Sequence, residues 1–61
     1  MELNIFIKGK KEPLIYIGDR IDLLDFILNG VKYKQIRVFK NGFSKSELIK
    51  SSLINKTQEK N

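Results

Sequence analysis

Three aspartates recur at every third position of one short segment, as Asp19, Asp22 and Asp25. Clustered carboxylates are the ligands that hard cations such as Mg²⁺ and Ca²⁺ prefer. However, the sequence contains no second acidic cluster and no glycine-containing calcium loop beside them. The same residues suit the first turns of a helix, where carboxylates cap free N–H groups and complement the helix dipole. We therefore predict helix capping for the three aspartates and no metal site.

The residue types that most enzymes use at neutral pH are missing, because the chain has no His and no Cys. A serine nucleophile would then need Lys, Asp or Glu as its base, and nothing around Ser46 and Lys50 predicts the buried setting that activates a lysine. The four glycines form no phosphate-binding motif. Disulfides and the usual zinc ligands are excluded as well. We predict a protein that is not an enzyme and binds no cofactor.

Basic and aromatic side chains are interleaved in residues 31–42, a segment without acidic residues. Single-stranded nucleic acids are bound by this combination, with basic groups for the phosphates and rings for base stacking. An edge strand protected by lysines has the same pattern. The segment is the basis of an alternative hypothesis, a nucleic-acid-binding regulator. Its predicted patch consists of Lys32, Tyr33, Lys34, Arg37, Phe39 and Lys40.

The segment that contains the aspartates has the pattern of a helix over residues 19–29, with Gly30 as a left-handed terminator. On a helical projection its apolar side chains cover about 220° of the circumference, roughly twice what a surface helix needs. One sheet cannot cover so wide a surface, so we expect part of it to contact a second protein. The alternative is that the segment from Phe43 to Ile54 folds back and covers it. The predicted interface consists of Ile21, Leu23, Phe26 and Ile27.

Alternation of apolar and polar residues predicts strands at 3–8, 14–18 and 33–40. The charged turn that contains Pro13 makes an antiparallel hairpin the expected connection between the first two strands.

The dipeptide Asn41-Gly42 is a strong turn signal after the third strand. Ser44 and Glu47 then have the spacing of a capping box, which favours a short helix over residues 45–55. A turn followed by a short strand is the alternative for this segment.

The element order predicts an α+β fold, a small antiparallel sheet (β-β-α-β) with one central helix packed on it and a short C-terminal helix or strand. Residues 1–55 form the predicted single domain, and residues 56–61 a frayed polar tail. A chain of 61 residues can bury only about 60% of its extended surface. We therefore expect a homo-oligomer, most simply a dimer. No membrane-spanning run or secretory signal is visible, which predicts a cytoplasmic protein.

The chain is rich in lysine, isoleucine and asparagine, with ten, nine and five residues, and its net charge is +5. In this respect the chain resembles the short open reading frames of phages and mobile elements in AT-rich hosts. The resemblance is compositional and implies no role for any residue. It implies a product that inhibits a host enzyme or defence system by stoichiometric binding. We predict a small protein-binding module of this kind, with nucleic-acid binding as the alternative.

Overall fold

The computed structural model describes residues 1–60, and 73% of them lie in β-strands. The strands are β1 Glu2–Ile7, β2 Leu14–Ile17, β3 Arg20–Leu28, β4 Val31–Lys40, β5 Phe43–Lys50 and β6 Ile54–Lys60. They form two antiparallel sheets of three strands each. Sheet A has the order β2-β1-β6 and sheet B the order β3-β4-β5. Within residues 1–60 no helix is long and apolar enough to cross a membrane.

The predicted α+β class was wrong, because the segment expected as the central helix is strand β3. Its apolar side chains alternate between two faces, with Ile21, Leu23 and Ile27 on one and Leu24, Phe26 and Leu28 on the other. On a helical projection, a strand with two apolar faces covers the same wide arc as an over-wide helix. The width that suggested an unpartnered helix therefore arose from a strand whose two faces are both apolar.

Two Asn-Gly dipeptides shape sheet B. Asn29 and Gly30 have φ values of 51° and 75°, and Asn41 and Gly42 have 52° and 79°. Two consecutive left-handed residues are what a type I′ turn requires, and this turn matches the twist of a two-residue hairpin. The turn predicted at Asn41-Gly42 is confirmed. The predicted helix terminator at Gly30 is instead the turn of the β3–β4 hairpin.

The short helix predicted over residues 45–55 was also wrong. This segment contains β5, a single 3-10 turn at Ser51–Leu53, and the start of β6. Ser44 lies opposite Phe39 in the β4–β5 register, so no helix exists for it to cap. The alternative for this segment, a turn followed by a short strand, is closer to the structure, because residues 45–50 lie in β5 directly after the Asn41-Gly42 turn.

The N- and C-terminal segments meet in sheet A. Residues 56–60, which were expected in the frayed tail, lie in β6, and Asn61 lies outside the described residues. β6 pairs antiparallel with β1, from Glu2 opposite Lys60 to Ile7 opposite Ile54. This pairing makes β1 the central strand of sheet A, with β2 on one side and β6 on the other. The inward side chains of β1, Leu3 and Ile5, are fully buried.

The core lies between the two sheets. Its four buried side chains are Leu3 and Ile5 from β1, Ile21 from β3 and Ile36 from β4. Half-buried side chains, one from each of the six strands, surround them, namely Ile7, Tyr16, Leu23, Val38, Ile49 and Ile54. The inward faces of sheets A and B therefore form one apolar layer, as in other small sandwiches of two sheets.

The chain passes from sheet A to sheet B at Gly18. The N–H of Gly18 donates a hydrogen bond to the carbonyl of Met1, just before β1 of sheet A, at 3.1 Å. The N–H of Asp19 donates one to the carbonyl of Phe39, in sheet B, at 2.8 Å. A Cβ atom on Gly18 would lie 2.7 Å from Cγ1 of Val38 and 2.9 Å from that same carbonyl oxygen of Phe39. Glycine is required here because two backbones and a core side chain approach so closely.

Sheet B extends beyond the layer that sheet A covers. The end of the β3–β4 hairpin, residues 24–32, is exposed throughout, and we call it the distal hairpin. The protein is correspondingly flat and elongated, with extents of 33, 28 and 13 Å. The distal hairpin therefore offers both of its faces to solvent.

Candidate functional site

One face of sheet B packs on sheet A, and the opposite face is free. Because side chains alternate along a strand, the neighbours of the buried Ile21 and Ile36 point to the free face. Six apolar side chains lie together there, and we call them the outer patch. They are Leu24, Phe26, Leu28, Val31, Tyr33 and Leu48. All but the half-buried Tyr33 are exposed to solvent.

The register explains why these six side chains are neighbours. Phe26 lies directly opposite Tyr33, and Leu28 lies opposite Val31 beside the Asn-Gly turn. Leu48 reaches the patch from β5, two strands away from β3, where it lies opposite Gln35. Cross-strand neighbours of this kind contact one another at Cβ distances of about 5 Å. The outer patch is therefore continuous across β3 and β4, and Leu48 joins it from β5 on the far side of Gln35.

The other end of the same free face is charged. The guanidinium groups of Arg20 and Arg37 lie 5.2 and 5.4 Å from the centre of the Phe39 ring, within cation–π distance. Asp22 accepts hydrogen bonds from Arg20 at 3.1 and 3.2 Å, so the charge of that arginine is paired. The free face thus divides into an apolar half and an arginine-aromatic half.

The residues predicted as a protein interface do not share one surface. Ile21 is buried in the core, and Leu23 is half-buried against it. Phe26 and Ile27 are exposed but lie on opposite faces of β3. A helical face was expected to bring the four together, and a strand cannot do so because adjacent residues alternate sides. Of the predicted set, Phe26 alone belongs to the outer patch.

Leu24, Leu28, Val31 and Leu48 belong to the outer patch but to neither of the predicted sites. A signal for the first two was present, since Asn29-Gly30 between apolar runs is as strong a hairpin signal as Asn41-Gly42. Read as a hairpin, it places Leu24 and Leu28 on one strand face with Phe26. Leu48 had no comparable signal, because its segment has the spacing of a capping box.

The predicted nucleic-acid patch is divided between the two faces of β4. Tyr33, Arg37 and Phe39 point to the free face, and Lys32, Lys34 and Lys40 to the opposite one. The Lys34 ammonium is also paired with the carboxylate of Asp25. The three lysines therefore do not surround the aromatic rings, as a stacking platform would require.

The three aspartates each bind a group of this chain, and their predicted role as helix caps was wrong. The Asp19 carboxylate accepts a hydrogen bond from the N–H of Asn41 at 3.1 Å, which links the sheet crossing to the β4–β5 turn. Asp22 pairs with Arg20, and Asp25 pairs with Lys34. The Lys34 hydrogen bond and charge hold the pKa of Asp25 below its ordinary value of 3.8. Residues 1–60 contain no group of three side chains that could hold a metal ion.

A hydrogen bond also joins an edge strand of sheet A to an edge strand of sheet B. The hydroxyl of Tyr16, on β2, donates to the carboxylate of Glu47, on β5, at 2.8 Å. Burial of the ring, the hydrogen bond to Glu47 and the negative charge of Glu47 all raise the pKa of Tyr16 above its ordinary value of 10.0. Glu47, predicted as part of a capping box, thus connects sheet B to sheet A.

No family model, no curated protein and no solved structure matches the chain. Among the exposed apolar side chains, those of the outer patch share one face of sheet B, with Leu24, Phe26, Leu28, Val31 and Leu48 each 37–47% exposed.

Proposed function

We propose that the protein is a non-enzymatic binding module whose outer patch contacts another protein. The observation that supports this proposal is the set of exposed apolar side chains on the free face of sheet B. Contiguous apolar surfaces of this kind mark protein contacts. Burying an exposed Leu or Phe contributes about 1.5–3 kcal/mol, so a partner that covers the patch gains a large part of its affinity there.

The surroundings of the outer patch indicate the chemistry of this partner. Lys50 lies opposite Tyr33, Arg37 lies on the same face beside Gln35, and the chain carries a net charge of +5. A partner with an apolar surface and an acidic rim would match both features, and complementary charge would speed its association. Such binding is stoichiometric and needs no catalytic group. The composition supports an inhibitor of a host enzyme or defence system, acting in the host cytoplasm.

Nucleic-acid binding is the second candidate, and one observation favours it. Arg20, Arg37 and Phe39 lie together on the free face, so basic groups and a ring are adjacent. Against it, the lysines of β4 point to the other face. The two candidates differ in their salt dependence, because counterion release makes nucleic-acid binding fall steeply as salt rises. An apolar interface depends much less on salt.

The experiment is affinity capture from lysate of the natural host with the immobilised protein, before and after nuclease treatment. We expect a nuclease-resistant protein partner whose capture falls about tenfold or more in Leu48→Lys, since a charge in the patch would cost at least 1.4 kcal/mol. The matched control is Ile15→Lys, which changes an isoleucine of similar exposure on sheet A and should retain the partner. Capture that nuclease and Arg37→Glu abolish, but Leu48→Lys does not, would select nucleic-acid binding instead.

A further inference from the structure

We infer that two copies of this chain pair through the free edge of β3 and form one continuous six-stranded antiparallel sheet. The inference rests on the proposed function and deepens it, because pairing at the edge leaves the outer patch of each copy exposed. β3 pairs with β4 along all nine of its residues, and within residues 1–60 its other edge has no strand beside it. The unpaired N–H and C=O groups of that edge are a template for another strand.

The edge of β3 differs from the other three sheet edges. Natural proteins protect edges with short strands, lysines, prolines or bulges. β2 has four residues, while β5 and β6 each carry two lysines. β3 has nine residues in an unbroken register, with no Lys, Pro or Gly. Its three charged residues are all paired inside the copy, Asp22 with Arg20 and Asp25 with Lys34. β3 is therefore the edge best suited to accept a strand.

The side chains of β3 select one two-fold register. Full overlap of the nine residues places Leu24, the midpoint of the strand, opposite Leu24 of the second copy. Ile21 then lies opposite Ile27 of the second copy, and this pair occurs twice by symmetry. Moving the midpoint to Asp25 places two aspartates opposite each other, which is destabilising. Moving it to Leu23 shortens the overlap and leaves Ile27 unpaired.

This register provides bonds and contacts of the number that a stable interface needs. Nine antiparallel residue pairs supply about eight to ten backbone hydrogen bonds. A typical protein interface has about ten. Ile27, which is 65% exposed in the single copy, would lie beside the buried Ile21 of its neighbour and extend the core layer. Arg20 would lie opposite Leu28, so no like charges face each other.

The surface area supports a second copy as the occupant. The accessible surface of the single chain is 4748 Å². A folded monomer of this mass is expected to expose only about 4,100 Å². The chain therefore exposes roughly 650 Å² more than expected. A dimer interface that covered this difference on each copy would bury about 1,300 Å² in total, which lies within the range of specific interfaces, about 1,200–2,000 Å². In the resulting dimer the two outer patches meet at Leu24 and form one wider apolar surface.

Disulfide trapping tests the register directly, because the chain has no cysteine of its own. In Leu24→Cys the two new thiols would lie opposite each other, at a Cα separation of about 4.5–5.5 Å. That separation suits a disulfide, so we expect air oxidation to give a covalent dimer. Leu28→Cys is the matched control on the same strand and face. Its two thiols would lie about 27 Å apart and should remain unlinked. Equal linking of both variants would overturn the register.

Sedimentation equilibrium tests the pairing without a covalent bond. At tens of micromolar we expect twice the 7.1 kDa chain mass for the wild type and for Ile15→Lys, and the single mass for Ile27→Lys. A wild type that sediments at the single mass would overturn the inference. So would a dimer that Leu48→Lys disrupts and Ile27→Lys does not, since the copies would then meet through their outer patches.

The same variants separate this inference from the proposed function. Leu48→Lys should lose the captured partner and keep the dimer, because Leu48 lies on β5, away from the paired edge. A monomeric wild type whose capture still depends on Leu48 would overturn the dimer alone. A dimer whose capture is insensitive to Leu48→Lys would overturn the proposed use of the outer patch alone.

Discussion

The two halves of the β3–β4 hairpin contain the same kinds of residues in different surroundings. In the half nearest the sheet crossing, Ile21 and Ile36 are buried beneath sheet A, whereas Ile27, on the same face in the distal hairpin, is 65% exposed. The strand lengths explain the difference. β1 has six residues and β2 four, while β3 has nine and β4 ten. At about 3.3 Å per residue, sheet B extends roughly 10 Å beyond the central strand of sheet A.

This comparison shows that burial here depends on the reach of the opposite sheet and not on residue type. A mutation should therefore be costly in the covered half and nearly silent for stability in the distal hairpin. A folded chain of 61 residues has about 3–9 kcal/mol of stability to lose. The effect of each change can be judged against that total.

The largest effect is expected from truncating the covered half. Ile36→Ala should lower the free energy of unfolding by about 2–5 kcal/mol, because it opens a cavity beneath sheet A. Ile27→Ala, the same change at a distal position, should alter it by less than about 0.5 kcal/mol in the monomer. Urea denaturation measured at a concentration where the chain is monomeric checks both values. Similar losses for the two variants would show that the distal hairpin is covered in the monomer.

The next effect concerns the sheet crossing, which exists only in the covered half. Gly18→Ala should destabilise the fold by about 1–3 kcal/mol, because the new methyl group overlaps Val38 and the carbonyl of Phe39. The backbone at this glycine does not have a positive φ, so the cost would be steric. Thermal unfolding followed by circular dichroism measures it. A neutral Gly18→Ala would mean that the two sheets are less tightly joined at the crossing than the distances indicate.

A smaller effect is expected at the hydrogen bond that joins the sheet edges. Tyr16→Phe should cost about 0.5–1.5 kcal/mol at neutral pH. The pKa of Tyr16 is raised by folding, so its contribution is present below pH 10 and is lost as the pH rises above that value, where unfolded tyrosine ionises first. The stability difference between wild type and Tyr16→Phe should therefore shrink above pH 10. Urea denaturation at pH 7, 9 and 11 measures it. A difference that stays constant over this range would contradict the raised pKa.

The smallest effect separates a strand from a helix at β5. Ser44→Ala should change stability by less than about 0.5 kcal/mol, because Ser44 is an exposed strand residue. A helix cap at that position would instead cost about 0.5–2 kcal/mol. Chemical denaturation distinguishes the two. A loss at the upper end of the capping range would support the helix that the sequence pattern suggested.

Local pattern was enough to predict part of the fold. The strands expected at 3–8, 14–18 and 33–40 correspond to β1, β2 and β4, and the antiparallel β1–β2 hairpin is confirmed. The turn at Asn41-Gly42 is confirmed as well. These features depend on alternation and turn chemistry, which act over a few residues. The absence of His and Cys likewise follows from composition alone.

Tertiary structure decided the remaining features, above all the state of residues 20–28. Apolar residues on two faces satisfy both a helix and a strand, and only pairing with β4 along nine residues selects the strand. The same holds for β6, whose polar sequence becomes ordered because it completes sheet A beside β1. The outer patch is the last such feature. Its exposure follows from which face of sheet B packs on sheet A, a contact between distant parts of the chain that no local pattern contains.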